Sequence, residues 1–365
     1  MQQEPTLWRG VLDAGMAAVD HAGSSDFWEW TKGSAVFFWQ WEPEYVRDLA
    51  LGIEPMWVSR PPTKIEPQQG LGTADTKAAL ASKLAKMRTR GYISPLVLIL
   101  ATMNYFAVPK ADDWRPVYNG TKSGPNDSLW IPWFYLPDLS GLHRTLDPGY
   151  WQSDNDYGEF FNNFWLVAML RKYSGVDLTP LFGRTAEGKL NIEAWTRISM
   201  GSKPSPYVAV QQGRRLKRKF LGDPLDENNV FRWTHVDLNL QGSADYKPSR
   251  PWISKRHRTG EIAADAHDFV DDVRRTGPTE EDSWQASSRV GKTCSHEGIQ
   301  NALRKYRAPS KEPGVWAGAV VGSTNDNIFD SVTPEKWAKA KSEIARLRLA
   351  YNTALTPPFD LKDEL

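Results

Sequence analysis

Two adjacent carboxylates, Asp271 and Asp272, stand in the stretch HDFVDDVRRTG at residues 267–277. Neighbouring negative charges repel each other, and burying them is costly unless a cation or a raised pKa relieves the repulsion. The residues on both sides favour β-strands, so a tight turn between two strands would present both acids at its tip. The pair is therefore a candidate for binding a divalent cation.

A third carboxylate is needed to complete such a site, because two acids alone hold a divalent ion poorly. The stretch SDNDYGEFF at residues 153–161 offers two candidates, Asp154 and Asp156. Oxygen ligands and phosphate partners are what Mg²⁺ prefers. The sequence therefore predicts a magnesium site that joins the acid pair to one of these two acids.

The net charge of the chain does not indicate a class of binding partner. The chain has 45 basic and 44 acidic residues, a net charge of +1, so no global field draws it to nucleic acid or to a membrane. The single cysteine, Cys294, cannot form an internal disulfide or a thiolate metal site. The 17 tryptophans are several times the usual number, and we expect some of them at surfaces or grooves.

Targeting patterns give no indication of a membrane role. No apolar run approaches the length of a membrane span, and the amino terminus lacks the pattern of a secretory signal. The last four residues, Lys362–Leu365, spell a retrieval signal that acts only within the secretory route. We treat this signal as coincidental and expect a cytoplasmic or nuclear protein, which could be one part of a longer polyprotein.

Hydrophobic spacing predicts helices and strands around the acids. The predicted helices cover 75–90, 160–172, 205–220 and 334–351; Thr333 caps the last, which we expect to pack one face on a core. The predicted strands cover 92–100, 105–108 and 115–118, the last two joined as a hairpin by polar residues 110–113. A cluster of five bases at 214–219 ends the third helix. It is either a solvated helix end, where cations suit the helix dipole, or a phosphate-contacting patch.

The acid motifs resemble those of a known family. Residues 269–272, FVDD, resemble the aromatic-x-Asp-Asp box of reverse transcriptases, and Asp156 followed by Phe161 resembles that family's first catalytic motif. The resemblance implies that Asp156, Asp271 and Asp272 are catalytic and bind two Mg²⁺ ions, with Mn²⁺ as the alternative ion. It also implies that Phe161 is a steric gate that excludes a 2′-hydroxyl. Asp154 in place of Asp156, and Phe161 as a core residue, stay open as alternatives.

Three further stretches resemble this family in the same order along the chain. Residues 106–118, FAVPKADDWRPVY, resemble the fingers hairpin, which implies that Lys110 and Arg115 bind the triphosphate of the incoming nucleotide. Residues 200–207, MGSKPSPY, resemble the motif that shapes the nucleotide and template pocket. Residues 313–318, PGVWAG, resemble the primer grip. The binding residues thereby implied are Met200, Gly201, Lys203, Trp316 and Gly318.

Two of these positions carry qualifications. Met200 stands where the family usually has a polar residue before the glycine, which bears on the details of the pocket. Trp316 could equally be a buried anchor with no primer nearby.

The resemblance spans residues 90–350 and implies an α+β fold, a right-hand polymerase core with fingers, an antiparallel palm sheet backed by helices, and a partial thumb. It is closest to retroelement enzymes of the tyrosine-recombinase retrotransposon type. The implied domains are an amino-terminal extension (1–90, tryptophan-rich and then helical), fingers (91–150 and 166–204), palm (151–165 and 205–325, with an inserted connection at 213–260) and the start of the thumb (326–365).

The implied activity is that of an RNA-directed DNA polymerase, which adds deoxynucleotides to a primer 3′-hydroxyl on an RNA or DNA template. The expected partners are a primed template and deoxynucleoside triphosphates. One alternative is a decayed or domesticated relative that binds nucleic acid without synthesis. Another is a two-metal nuclease or phosphatase, which the triphosphate hairpin and the aromatic gate disfavour.

Overall fold

A computed structural model describes residues 52–352 of the chain except residues 55, 111–112, 122–123 and 137. The tryptophan-rich leading block, the tip of the predicted hairpin at 111–112 and the carboxyl-terminal tetrapeptide lie outside the described residues. None of the helices within the described part combines the length and the hydropathy that a membrane span requires.

Helix α1 (Ala74–Thr89) shows how the local sequence sets an element. The Thr73 side chain accepts a hydrogen bond from a first-turn amide at 3.3 Å, as helix-capping threonines do. Leu80 and Leu84 lie one turn apart and are fully buried. Gly91 then adopts a φ of +67°, a left-handed conformation that costs glycine little, and the helix ends before it. The predicted helix is confirmed.

The remaining helices are mostly short, with three long ones near the middle and the end. In chain order the α-helices of the described residues are α1, α2 (Leu139–His143), α3 (Ala168–Arg171), α4 (Thr179–Phe182), α5 (Ser205–Leu221), α6 (Glu280–Glu297) and α7 (Pro334–Asn352). Single 3₁₀ turns occur at Pro125–Ser128, Phe160–Asn163 and Leu303–Lys305. The predicted helices at 205–220 and 334–351 are confirmed.

The strands form small sheets with antiparallel pairing. They are β1 (Met56–Trp57), β2 (Ile93–Ser94), β3 (Asn104–Lys110), β4 (Asp113–Asn119), β5 (Leu129–Trp130), β6 (Trp151–Asp156), β7 (Gly175–Asp177), β8 (Ile192–Trp195), β9 (His235–Leu238), β10 (Ile253–Arg256), β11 (Asp265–Phe269), β12 (Asp272–Gly277), β13 (Arg307–Ser310), β14 (Gly314–Trp316), β15 (Ala319–Ser323) and β16 (Ile328–Val332). The sheet orders are β1-β5, β2-β8-β7, β3-β4, β9-β10, β11-β12-β6-β13 and β14-β15-β16.

The predicted helix at 160–172 is wrong. The chain forms a 3₁₀ turn at Phe160–Asn163 and resumes a helix only at α3. Between them the backbone is extended, because the amide of Leu166 donates to the carbonyl of Thr196 and the carbonyl of Phe164 accepts from the amide of Ile198. Pairing with a distant segment therefore overrides the helical spacing of the apolar residues.

The predicted strand at 92–100 is reduced to the two residues of β2. Pro95 follows at once, and a proline cannot donate to a strand ladder. Val97 is fully exposed and Leu98 is half exposed, so the apolar run after it does not enter a sheet. The predicted hairpin of 105–108 and 115–118 is confirmed as β3 and β4.

One expectation about the second half of the chain also changes. Helix α7 does not bury an apolar face within the described residues, since Trp337, Ile344 and Tyr351 are each about half exposed or more. Helix α5 continues to Leu221, into the stretch 213–260 that the resemblance implies is an inserted connection. The connection contains the hairpin of β9 and β10.

The chain forms two compact units, each assembled from three stretches. The first unit has a core around Leu80 and Leu84 of α1 and the packed rings of Tyr118 and Trp195, 4.9 Å apart. The second has a core in which Trp316 packs with neighbouring apolar residues. The first unit comprises Met1–Leu136, Asn155–Leu221 and Ser288–Lys305; the second comprises Pro137–Asp154, Gly222–Ser287 and Tyr306–Leu365.

Candidate functional site

The acid pair lies in a tight hairpin turn, as predicted. Phe269 at the end of β11 pairs with Asp272 at the start of β12, so only Val270 and Asp271 form the loop. Both acids are partly exposed. The alternation of side chains along a strand then places Arg274 on the same face of the sheet as Asp272.

Val270 has a φ of +58°. A positive φ is a real outlier for a β-branched residue and costs on the order of 1–3 kcal/mol. Two-residue hairpins with a positive φ at their first loop residue ordinarily use asparagine, aspartate or glycine there. The backbone of this turn is therefore strained, which is common at sites where geometry serves a function.

Asp154 lies in the interior of the four-stranded sheet and is bound by arginine. The Nε of Arg274 donates to Asp154 Oδ1 at 2.7 Å, and its Nη2 donates to Oδ2 at 2.9 Å. Arg307, on β13, adds a longer contact of 3.4 Å to Oδ2. Both oxygens of Asp154 are thus engaged by guanidinium groups.

Asp156, the last residue of β6, has a different partner. Its carboxylate Oδ2 accepts a hydrogen bond from the ammonium of Lys305, and its side chain is almost fully buried. Its carbonyl also accepts a hydrogen bond from the amide of Ala302 at 2.9 Å. Sequence reasoning missed Lys305, because 149 residues separate it from Asp156 and no short motif marks it.

A complete metal cluster is not assembled among the described residues. No group of three or more carboxylate, imidazole or thiolate side chains in that part of the chain is close enough to hold a metal ion. Asp156 belongs to the first unit, and Asp271 and Asp272 belong to the second.

The hairpin predicted to bind triphosphate is formed by β3 and β4. Arg115 pairs with Val108, and Lys110 pairs with Asp113 at the last described step before the tip. The Arg115 side chain is exposed. The hairpin therefore offers at least one guanidinium to solvent near its tip.

The motif at 200–203 packs against the base of this hairpin. Gly201 has a φ of +102°, and a Cβ at this residue would lie 2.0 Å from the carbonyl oxygen of Tyr118. The Asn126 side chain links the motif to its neighbour, since Nδ2 donates to the Gly201 carbonyl at 2.9 Å and Oδ1 accepts from the Lys203 amide at 2.8 Å. Only glycine fits at residue 201 without moving the backbone of β4.

Two side chains of this motif have contrasting surroundings. The Lys203 ammonium donates to the carbonyl of Leu129 at 2.6 Å, a structural contact. Met200 is 44% exposed, so its side chain is accessible from solvent.

Phe161 differs from its aromatic neighbours in burial. Phe160 and Phe164 are almost completely buried, with ring centroids 5.3 Å apart. Phe161 is partly exposed on the same 3₁₀ turn. Its side chain is therefore available at a surface, unlike that of a core phenylalanine.

The hairpin that resembles a primer grip is formed by β14 and β15. Trp316 is 2% exposed and packs at 6.3 Å, ring to ring, against Phe269 of the acid hairpin. Ala317 and Gly318 form the loop, with φ values of +49° and +77°. Trp316 is thus a buried anchor that ties this hairpin to the acid-bearing strands.

Comparison with known proteins finds similarity at the level of structure. No protein-family model and no curated protein matches the chain. A foamy viral protease-reverse transcriptase in complex with RNA/DNA hybrid matches 86% of this chain and 37% of its own, with 14% identity and a TM-score of 0.54. A dRH form in complex with double-stranded DNA matches 86% and 48%, with 15% identity and a TM-score of 0.51.

The native prototype foamy virus protease-reverse transcriptase matches 77% of this chain and 30% of its own, with 14% identity and a TM-score of 0.50. The chain therefore spans less than half the length of each of these proteins. At such identities the likeness concerns the fold alone. The mixed helices and antiparallel sheets of this chain form an α+β fold similar to the polymerase fold of reverse transcriptases.

Proposed function

We propose that the chain is an RNA-directed DNA polymerase that adds deoxynucleotides to a primer 3′-hydroxyl. The observation that carries the proposal is the two-residue turn between β11 and β12 that presents Asp271 and Asp272, in a reverse-transcriptase-like fold. Two of the similar structures are complexes with nucleic acid, which supports a primed template as the partner.

The donor set fits magnesium by its chemistry. Asp156, Asp271 and Asp272 supply only carboxylate oxygens, and Mg²⁺ is usually held by one or two carboxylates together with substrate phosphates. A preformed cluster of three carboxylates is therefore not required before substrate binds. Two bound Mg²⁺ ions, or Mn²⁺ in their place, would supply the positive charge that activates the primer hydroxyl and neutralises the leaving pyrophosphate.

The other residues of the chain would hold the substrates. Arg115 and Lys110 would bind the triphosphate, Arg115 as a planar fork and Lys110 as a point charge. Phe161 would lie beneath the sugar and exclude a 2′-hydroxyl. Met200 and Gly201 would line the nucleotide pocket, while Lys203 holds the Leu129 carbonyl.

The hairpin of Trp316 and Gly318 would position the primer end, with Trp316 as its buried anchor. An origin in a retrotransposon of the tyrosine-recombinase type belongs to the same proposal. It rests on the sequence resemblance of residues 115–127 and 159–164.

Primer extension tests the proposal. The full chain is incubated with a DNA primer on an RNA template, Mg²⁺ and deoxynucleotides, beside the variant Asp271→Asn. We expect extension by the wild type and a loss of more than about hundredfold in the variant, since a metal ligand contributes several kcal/mol of transition-state stabilisation. Asp245→Asn, an exposed acid of the same unit, is the matched control and should extend like the wild type.

Two results would contradict polymerase activity. The first is a wild type that binds primed template without extending it, which favours a binding protein. The second is an Asp271→Asn variant as active as the Asp245→Asn control, which places any observed synthesis elsewhere.

A further inference from the structure

Arg274 is a fully buried guanidinium in the middle of the acid-bearing sheet face. Besides its two bonds to Asp154, its Nη1 donates to Gln152 Oε1 at 3.0 Å and its Nη2 lies 3.4 Å from the Val315 carbonyl oxygen. Each of its terminal nitrogens therefore has a partner. The stretch HDFVDDVRRTG, which carries the paired acids, also contains this arginine, two residues after Asp272.

These contacts join three of the segments that the proposed function requires. Arg274 is on β12 with Asp272, and Gln152 and Asp154 are on β6, whose last residue is Asp156. Val315 is on β14, next to Trp316. One side chain thus spans the second acid strand, the first acid strand and the hairpin that resembles a primer grip.

Stability alone does not explain a buried pair of this kind. Removing an arginine and an aspartate from water is costly, and well-packed apolar residues in their place are often equally or more stabilising. A bidentate fork, however, fixes distance and angle between two strands in a way that apolar contact does not. The geometry of the Arg274–Asp154 pair therefore indicates a role in fixing the position of β12 relative to β6.

The pair also changes what Asp154 can do. Its Oδ1 and Oδ2 both accept short bonds from Arg274, and Oδ2 has the additional contact with Arg307. A carboxylate engaged in this way has few lone pairs left for a metal ion. The carboxylate of Asp156 instead pairs with the ammonium of Lys305, whose side chain is 39% exposed.

We infer that Arg274 is a positioning residue, which holds the strands of Asp156 and Asp272 in register through Asp154 and keeps Asp154 from acting as a metal ligand. This inference rests on the proposed polymerase function. It gives Arg274 a role within the proposed site. Of the two candidate metal ligands, Asp154 and Asp156, it selects Asp156.

The test uses the full chain with Asp154→Asn, which removes only the charge, and Arg274→Lys, which replaces the fork by a point charge. Asp156→Asn serves as the reference for a lost ligand. Asp237→Asn is the matched control, because it breaks the Arg256–Asp237 pair on the exposed β9 and β10 hairpin. Circular dichroism and the thermal midpoint identify folded variants. The readouts are kcat and KM in primer extension, and binding of Mn²⁺ alone by electron paramagnetic resonance.

We expect Asp154→Asn and Arg274→Lys to lower kcat roughly hundredfold, because a small misplacement of catalytic groups has that effect. The KM for nucleotide should change less than about twofold, since ground-state contacts are kept. Mn²⁺ affinity should be unchanged in Asp154→Asn and lost in Asp156→Asn. The control should match the wild type in all three.

Either of two outcomes overturns the inference. One is a loss of Mn²⁺ affinity in Asp154→Asn as large as in Asp156→Asn, which makes Asp154 a ligand. The other is unchanged kcat in folded Asp154→Asn and Arg274→Lys. If Arg274→Lys does not fold, Asp154→Asn carries the test. If the wild type extends no primer, the proposed function fails, and the Mn²⁺ comparison still decides the role of Asp154.

Discussion

Asp154 and Asp156 lie two residues apart on β6, yet cations of different kinds bind their carboxylates. A guanidinium binds a carboxylate as a rigid fork through two parallel bonds. An ammonium is a flexible point charge on a long stem, and Lys305 is about 40% exposed. The partner of Asp156 is therefore the more easily exchanged, which suits the metal-binding role proposed for this residue.

Phe161 allows a prediction about sugar selection. Replacing it by alanine should raise the efficiency of ribonucleotide relative to deoxynucleotide incorporation by roughly tenfold or more, because a pocket that excludes a group by contact loses that selectivity when the contact is removed. The measurement is kcat/KM for each nucleotide on the same primed template.

Phe160→Ala is the matched control for this change. Phe160 is 2% exposed, so its truncation should cost about 3–5 kcal/mol of unfolding free energy and leave the sugar preference of the folded fraction unchanged. Equal selectivity in Phe161→Ala and the wild type would contradict the gate and return Phe161 to a packing role.

At the scale of elements, the packing of the motif at 200–203 against the hairpin of β3 and β4 depends on the close approach of Gly201 to Tyr118. The Gly201→Ala variant should be destabilised, because its new methyl group would lie 2.0 Å from the Tyr118 carbonyl oxygen. Moving β4 by the required distance should also lower nucleotide incorporation by up to about hundredfold. Urea unfolding and primer extension measure the two effects.

Gly188→Ala separates the steric clash from the cost of backbone conformation. Gly188 has a φ of +76° and no atom within 4 Å of the position of a Cβ. We expect it to cost only the roughly 1–2 kcal/mol of a left-handed alanine and to leave incorporation unchanged. Equal losses in the two variants would show that Gly201 contributes by its conformation alone.

Local patterns predicted the elements that depend on nearby residues. Hydrophobic spacing predicted the helix at 75–90, which α1 confirms. Strand-favouring residues around Asp271 indicated a hairpin, which the register of β11 and β12 confirms. The helix at 160–172 could not be corrected from the sequence, because its extended part depends on pairing with residues 196–198.

The exposed apolar stripe of α7 shows the same limit. Helical spacing predicts that a face is apolar, but not that this face is covered. The site has this limit too, since Arg274 and Asp154 are 120 residues apart and Lys305 and Asp156 are 149 apart. Sequence motifs identified Asp154 and Asp156 as candidates, but only the fold identified the cationic residues that pair with them.

At the scale of the whole molecule, Asp147 should make stability depend on pH. Burial raises the pKa of Asp147, although hydrogen bonds from Ser254 oppose the rise. Because the folded pKa lies above the unfolded value of 3.8, the stabilising contribution is present below that pH and is lost as the pH rises through the folded pKa. At a pH above the folded pKa, the buried and ionised carboxylate of Asp147 destabilises the folded state.

Asp147→Asn should therefore be at least as stable as the wild type at pH 7 and lose this part of the pH dependence. Its amide oxygen can still accept the Ser254 hydroxyl bond. Urea midpoints at pH 4 and pH 7 measure the difference, and exposed Asp245→Asn should follow the wild-type curve. A variant that is less stable than the wild type at pH 7 would contradict this account.

The way the chain alternates between its two units has a consequence for synthesis on the ribosome. The first unit is completed only by Ser288–Lys305, and the second needs Tyr306 onward. At about 5–20 residues per second, residues 1–305 alone take roughly 15–60 seconds to emerge. Throughout that time neither unit can close its core, so the apolar residues of both cores stay exposed on the growing chain.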